Sequence, residues 1–350
     1  MNSIKWSRAV SGLALTFILG ACSEVSFSPA PPKEGPSTLE DSTPDSGGLG
    51  SISGEILEAF NQRSVVRKVD LLVIVDNSLS MAEEQSRLGA RIQSFLNHLG
   101  RVDWQLAVTT TDVSTGPYGL KGSLLTMAGT SSMILNKNVP NYEQVFLDTV
   151  VRSETLNCVG SCPSADEQAL RAAIMAMDKR NTDNRGFFRD DADLGLLILS
   201  DEDEMSTGPA LATKPEAVLD HFRNIWGDSK DLYTYGIITL PGDVNCLGAQ
   251  GRDASYGTHV SDLSDLTGGL TGSICSEEYG ETLGQIGKNL IKLLDSLRLK
   301  AAPDEDSIMM LFDPPQPDVR WSVYENKIIF DVPPKSGTKI RVAYDRKRRD

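Results

Sequence analysis

A carboxylate and two hydroxyls, Asp76, Ser78 and Ser80, stand at alternate positions just after an apolar run in VDLLVIVDNSLSM, residues 69–81. These are hard oxygen donors, the type that magnesium, calcium and manganese prefer, and one tight loop presents all three. A further aspartate, Asp201, ends another apolar run in LLILSDEDE, residues 196–204. If the fold brings the two runs together, their ends can share a divalent cation. A phosphotransferase built on a nucleophilic aspartate would need a second aspartate two residues after the first, and residue 78 is serine. Nor does GxSxG, HExxH, a P-loop or GxGxxG stand where it would support hydrolase, peptidase or nucleotide chemistry. A binding protein is expected, not an enzyme.

The elements that must position these residues are legible. Strands are predicted over 69–75, 104–110, 194–200 and 232–240, and amphipathic helices over 81–99, 165–177, 215–226 and 281–297. Short apolar strands without alternation suit burial on both faces, and the intervening helices supply crossovers. The expected fold class is therefore α/β, a doubly wound, mostly parallel sheet with helices on both faces. Ligand sites in such sheets lie beyond the carboxyl ends of the strands, where Asp76 and Asp201 both fall. Ser80 also takes the N-cap position of the helix that follows.

At this point the chain resembles the von Willebrand factor type A family, with its metal-ion-dependent adhesion site. The DNSLS stretch matches the family's Asp-x-Ser-x-Ser loop as Asp76, Ser78 and Ser80, and SDEDE offers Asp201 for its distant aspartate. The family's threonine falls at Ser164, five residues before the Ala169-Leu170 pair in SADEQAL. Serine keeps the hydroxyl there and lacks the stiffening methyl. The resemblance covers residues 60–298. It implies Mg2+, or Ca2+ or Mn2+, held directly by Ser78, Ser80 and Ser164, with Asp76 and Asp201 acting through water. One coordination position is then left for an acidic residue of a partner protein. Where the family often has glycine, Glu202, Asp203 and Glu204 follow Asp201. That run either strengthens cation binding, forms a second cation site, gives the first cation an internal carboxylate, or is a solvated loop. Thr111 and Asp112 end another strand and either line the ligand rim, where Glu202 and Asp203 are candidates as well, or make a turn.

Residues 1–21 read as an export signal: basic residues, then a short apolar run, then small residues before Cys22. LGAC resembles the lipobox of bacterial lipoproteins, which implies lipidation at Cys22 and, with Ser23 next, an outer-membrane address. Residues 22–55, rich in Ser, Pro and Gly, read as a flexible tether, residues 56–300 as the main domain and 301–350 as a small antiparallel β module. YEN and PPKSG are expected hairpin turns in that module. A formal charge of −14 argues against nucleic acid as a partner. In an exported chain the four remaining cysteines favour disulfides, and proximity suggests Cys158 with Cys162 and Cys246 with Cys275. Zinc is the rival reading, but the paired CxxC spacing is lacking.

Overall fold

Apolar runs without alternation become strands covered on both faces. The computed structural model describes residues 54–62, 67–156, 158, 160–204, 211–227, 229–251 and 254–347. Along the chain run β1 (Ile56–Asn61), β2 (Lys68–Val75), α1 (Ala82–Leu96), β3 (Asp103–Thr110), β4 (Leu135–Asn136), α2 (Tyr142–Val150), α3 (Ser153–Leu156) and α4 (Ala169–Asp178). Then follow β5 (Asp193–Ser200), α5 (Pro215–Trp226), β6 (Leu232–Ile238), α6 (Val244–Gln250), α7 (Thr258–Thr267), β7 (Thr271–Ser273) and α8 (Tyr279–Leu294). Last come β8 (Leu297–Arg298), β9 (Met309–Asp313), β10 (Trp321–Tyr324), β11 (Lys327–Phe330) and β12 (Lys339–Tyr344).

Six strands form the central sheet in the order β4-β3-β2-β5-β6-β7, parallel except for the short edge strand β4. Side chains of β2 alternate between two cores. Leu71, Val73 and Val75 pack with Leu88, Ile92 and Phe95 of α1, Phe146 of α2 and Leu290 of α8. Leu72 and Ile74 pack with Leu170 and Ala173 of α4, Val218 and Phe222 of α5 and Leu263 of α7 on the opposite face. Each fully buried Leu or Ile contributes about 1.5–3 kcal/mol. The fold is thus α/β, with helices against both faces of a mostly parallel sheet.

From β2 the chain crosses by α1 to β3 on one side, then returns by α4 over the other face to β5 on β2's far side. Crossovers that leave in opposite directions open a crevice at the carboxyl ends of the two central strands. Asp76 and Asp201 follow those two strands.

Two three-stranded antiparallel sheets, β1-β12-β9 and β10-β11-β8, make the smaller module around Leu299, Ile328, Phe330, Ile340 and Tyr344. β1 joins this module instead of the larger domain with which the sequence grouped it, pairing Ile56 with Tyr344 through Asn61 with Lys339. Glu58 fixes the pairing by accepting from the Tyr344 hydroxyl at 2.6 Å and the Lys300 N–H at 2.9 Å. YEN is a hairpin turn between β10 and β11, with Glu325 at φ 52°. PPKSG is not: it links β11 to β12, which lie in different sheets, so it is a crossing and not a hairpin.

Both expected disulfides are present, Cys158–Cys162 and Cys246–Cys275, with Cα separations of 5.4 and 5.6 Å. Among the described residues no helix is long and apolar enough to cross a membrane. The leader, Cys22 and the tether up to residue 53 lie outside the described residues, as do 348–350.

Candidate metal centre

β2 and β5 end side by side, and the Asp76 N–H donates to the Leu199 carbonyl at 2.9 Å. Asp76 is fully buried. Its Oδ1 accepts the Ser78 N–H at 2.8 Å and its Oδ2 accepts the Ser200 hydroxyl at 2.7 Å. The first bond is an Asx turn that folds the loop on itself. Gln85 of α1 backs that loop, its Nε2 donating to the Asp76 carbonyl at 2.8 Å and to the Thr155 hydroxyl at 3.1 Å. Thr155 in turn donates to the Asn77 carbonyl at 2.9 Å, so α3 and α1 together hold the loop from beneath.

Ser78 and Ser80 place their hydroxyl oxygens 3.1 Å apart, and the Ser80 hydroxyl also reaches the Asp201 carboxylate. Ser80 is exposed, while Asp76 and Asp201 lie beneath it. Ser80 does not cap α1, as the sequence suggested. A 3-10 turn over Leu79–Met81 intervenes, Met81 takes the capping position, and neither hydroxyl is spent on the helix end.

Asp112 is a clamp. Its Oδ1 accepts the Ser114 N–H at 2.8 Å and its Oδ2 accepts the Ser164 N–H at 2.9 Å. The buried Thr111 bonds through its backbone to Val75 and Gln168. Together the two residues tie the segment before α4 to the end of β3. Ser164 accepts the Asp166 N–H on its own hydroxyl at 3.1 Å. Among the described residues no hydrogen bond joins Ser164 to Asp76, Ser78, Ser80 or Asp201.

Glu167, three residues on, turns inward. It is 1% exposed, its carboxylate stands beside Asp76 with Glu202 and Asp201 next, and neither of its oxygens has a hydrogen-bond partner. Two ionised carboxylates have no hydrogen to share, so only a retained proton would link Glu167 to Asp76. Burial, and then the Asp76 charge, push Glu167 up to about 11. Asp201 is pushed up to about 6, by burial first and by Asp76 second, and its Oδ1 is also without a partner. Burial likewise raises Asp76, against the bonds from Ser78 and Ser200. Sequence reasoning missed Glu167, because an acid just ahead of a helix is the ordinary preference for that end.

The acidic run after Asp201 is not a solvated loop. Glu204 is buried and accepts the Leu170 and Arg171 N–H groups at 2.7 and 3.3 Å, capping α4 from just beyond the end of β5. Asp203, expected at the rim, accepts the His259 N–H at 2.9 Å and pairs with the His259 ring Nδ1 at 2.7 Å. Open helix ends need acceptors, and these two acids supply them. Glu202 is half-buried, its N–H donating to the Ser200 hydroxyl at 3.2 Å.

Among the described residues no three His, Cys, Asp or Glu side chains are placed to enclose an ion by themselves. A cation here would need the Ser78 and Ser80 hydroxyls as well as Asp76, Glu167 and Asp201, an all-oxygen set that fits Mg2+ or Ca2+. Buried carboxylate oxygens without donors are rare, and Glu167 and Asp201 supply three of them.

Fold and site together define an α/β protein with buried carboxylates beneath a pair of serine hydroxyls at the switch point of its mostly parallel sheet. No family model matches the chain, and no curated protein matches it. Solved structures match in shape. The pilus adhesin SpaC from Lactobacillus rhamnosus GG, in its open conformation, gives a TM-score of 0.38 at 10% identity, over 81% of this chain and 39% of that one. Proximal thread matrix protein 1 from the mussel byssus gives 0.36 at 12% identity, over 67% and 50%. The N-terminal domain of TFIIH p34 gives 0.36 at 12% identity, over 63% and 97%. The chain thus spans about two fifths of the adhesin's length and half of the byssus protein's. Scores this low leave the fold description resting on the strands and helices themselves.

Proposed function

We propose that the chain is a lipid-anchored envelope protein displaying a von Willebrand factor type A domain, whose strand-end cluster takes a divalent cation and through it binds an acidic residue of a partner protein. The observation that carries this reading is the hydroxyl and carboxylate cluster at the ends of β2 and β5. Asp76 folds the loop that presents Ser78 and Ser80, and Asp201 leaves an oxygen unpartnered beside them. When bound, the cation would supply an electrophilic position for a carboxylate. Ser78 and Ser80 would contact it, and Asp76 and Asp201 would orient the oxygens around it. Signal peptide, lipidated Cys22 and tether complete the reading, with the body held at the outer membrane and the site free to meet a partner. The work is adhesion or assembly of an envelope complex, and no catalysis is proposed. A scaffold with a vestigial site is the second reading, favoured by the absence of a three-residue His, Cys, Asp or Glu cage among the described residues.

Titration calorimetry of the full chain with Mg2+, Ca2+ and Mn2+, after chelator treatment, separates the two. Saturable binding is expected, lost in the Asp76→Ala/Ser78→Ala double variant while that variant still melts cooperatively. No binding at millimolar cation leaves the scaffold.

A further inference from the structure

We infer that Glu167 is a resident ligand of this cation site and fills from within the position that a partner's carboxylate would take. The inference rests on the reading that the site takes a divalent cation. Glu167 is nearly fully buried, no N–H or hydroxyl donor reaches either of its oxygens, and the group its carboxylate meets is the carboxylate of Asp76. The charges that bear on it are Asp76, Glu202, Asp201 and Asp166, all of the same sign. A carboxylate so placed needs a positive charge or a proton.

Structural duties do not account for it. α4 begins at Ala169, and its open Leu170 and Arg171 N–H groups are already taken by Glu204. The Gln168 N–H goes to the Thr111 carbonyl. The Glu167 side chain thus caps nothing, yet the Asp112 clamp on Ser164 and the Thr111 bond to Gln168 hold its segment against the end of β3, which lies beside β2. The position is built, and what it aims at is the space beside Asp76.

Charge counting gives the consequence. Three ionised carboxylates, Asp76, Glu167 and Asp201, against one divalent cation leave the loaded site negative. An acidic partner then gains little by approaching until Glu167 swings away. The site is self-liganded, and capture of a partner is an exchange of one carboxylate for another.

The test is calorimetry on the chelator-treated full chain and its Glu167→Gln variant, first with Ca2+ and then with acetate added to the Ca2+-loaded proteins. Expected are a loss of Ca2+ affinity of about tenfold or more in the variant and saturable acetate binding by the loaded variant that the parent lacks. Equal Ca2+ affinity in the two proteins, or acetate binding by the loaded parent as readily as by the variant, overturns the role of Glu167 and leaves the cation reading standing. No Ca2+, Mg2+ or Mn2+ binding by either protein overturns both. Should the variant fail to fold, the parent alone decides. Saturable millimolar acetate binding by the loaded parent refutes an internal ligand, and its absence upholds one.

Discussion

Asp76 spends its carboxylate twice, on the Ser78 N–H and on the Ser200 hydroxyl, and both bonds are buried. Losing such an acceptor costs about 1–3 kcal/mol for the donors left behind. Relief of repulsion from Asp201 offsets part of that cost when no cation is bound. At this scale Asp76, Ser78, Ser80 and Asp201 were legible, because strand-end position and oxygen chemistry both show in the sequence. Glu167 was not, since its partners come from other strands and no local pattern marks an inward-turned acid. A different, half-buried acid sets a pH prediction. Asp193 accepts the Asp231 N–H at 2.7 Å, and burial raises it from 3.8 to about 6 against the pull of Lys327, Arg67, Arg298 and Lys230. Between those values the native state holds a proton that the unfolded chain has released, so this group's contribution to stability falls as pH rises from about 4 to about 6. Melting curves across that range should decline less steeply for Asp193→Asn than for the parent protein. Equal slopes would mean that Asp193 is ionised throughout.

Among elements, the four strands 69–75, 104–110, 194–200 and 232–240 appear as β2, β3, β5 and β6, because apolar runs of seven or eight residues announce strands buried on both faces. β4 and β7, of two and three residues, are too short to carry a pattern. α4 shows how tertiary contacts finish what sequence begins. No side chain of its own first turn caps it, and Glu204, thirty-four residues on, accepts the Leu170 N–H. Glu204→Ala should cost about 1–2 kcal/mol, the usual range for a lost cap, read as a lowered midpoint in urea. Because α4 carries the Glu167 segment, the variant should also weaken cation binding. An unchanged midpoint would assign the capping to other groups. Of the two disulfides, Cys246–Cys275 closes the longer loop and restricts the unfolded chain more, by about 3.6 kcal/mol against about 2 on the loop-entropy scale. Cys158–Cys162 instead lies between Thr155, which holds the Asn77 carbonyl, and Ser164, which Asp112 holds.

On the scale of the whole molecule, the two ends of the described chain meet in one sheet, since β1 pairs with β12, Ile56 with Tyr344 through Asn61 with Lys339. No local signal announces such a pairing, and the boundary near residue 300 was drawn from the change of strand pattern alone. An ion cluster joins the module to the larger sheet: Asp231, just before β6, meets Lys327 at 3.0 Å and Arg298. The proposed anchor belongs to this scale too. Cys22→Ser should release the protein from membranes into the soluble fraction after cell fractionation, and retention in the membrane pellet would refute lipidation at that residue.

The central claim is that one cation sits where β2 and β5 end. Anomalous diffraction from crystals soaked in Mn2+ locates that ion directly. The account predicts a peak bounded by the oxygens of Ser78, Ser80 and Glu167, with Asp76 and Asp201 beside it. An occupied peak elsewhere with none at this cluster, or no peak at millimolar Mn2+, would contradict it.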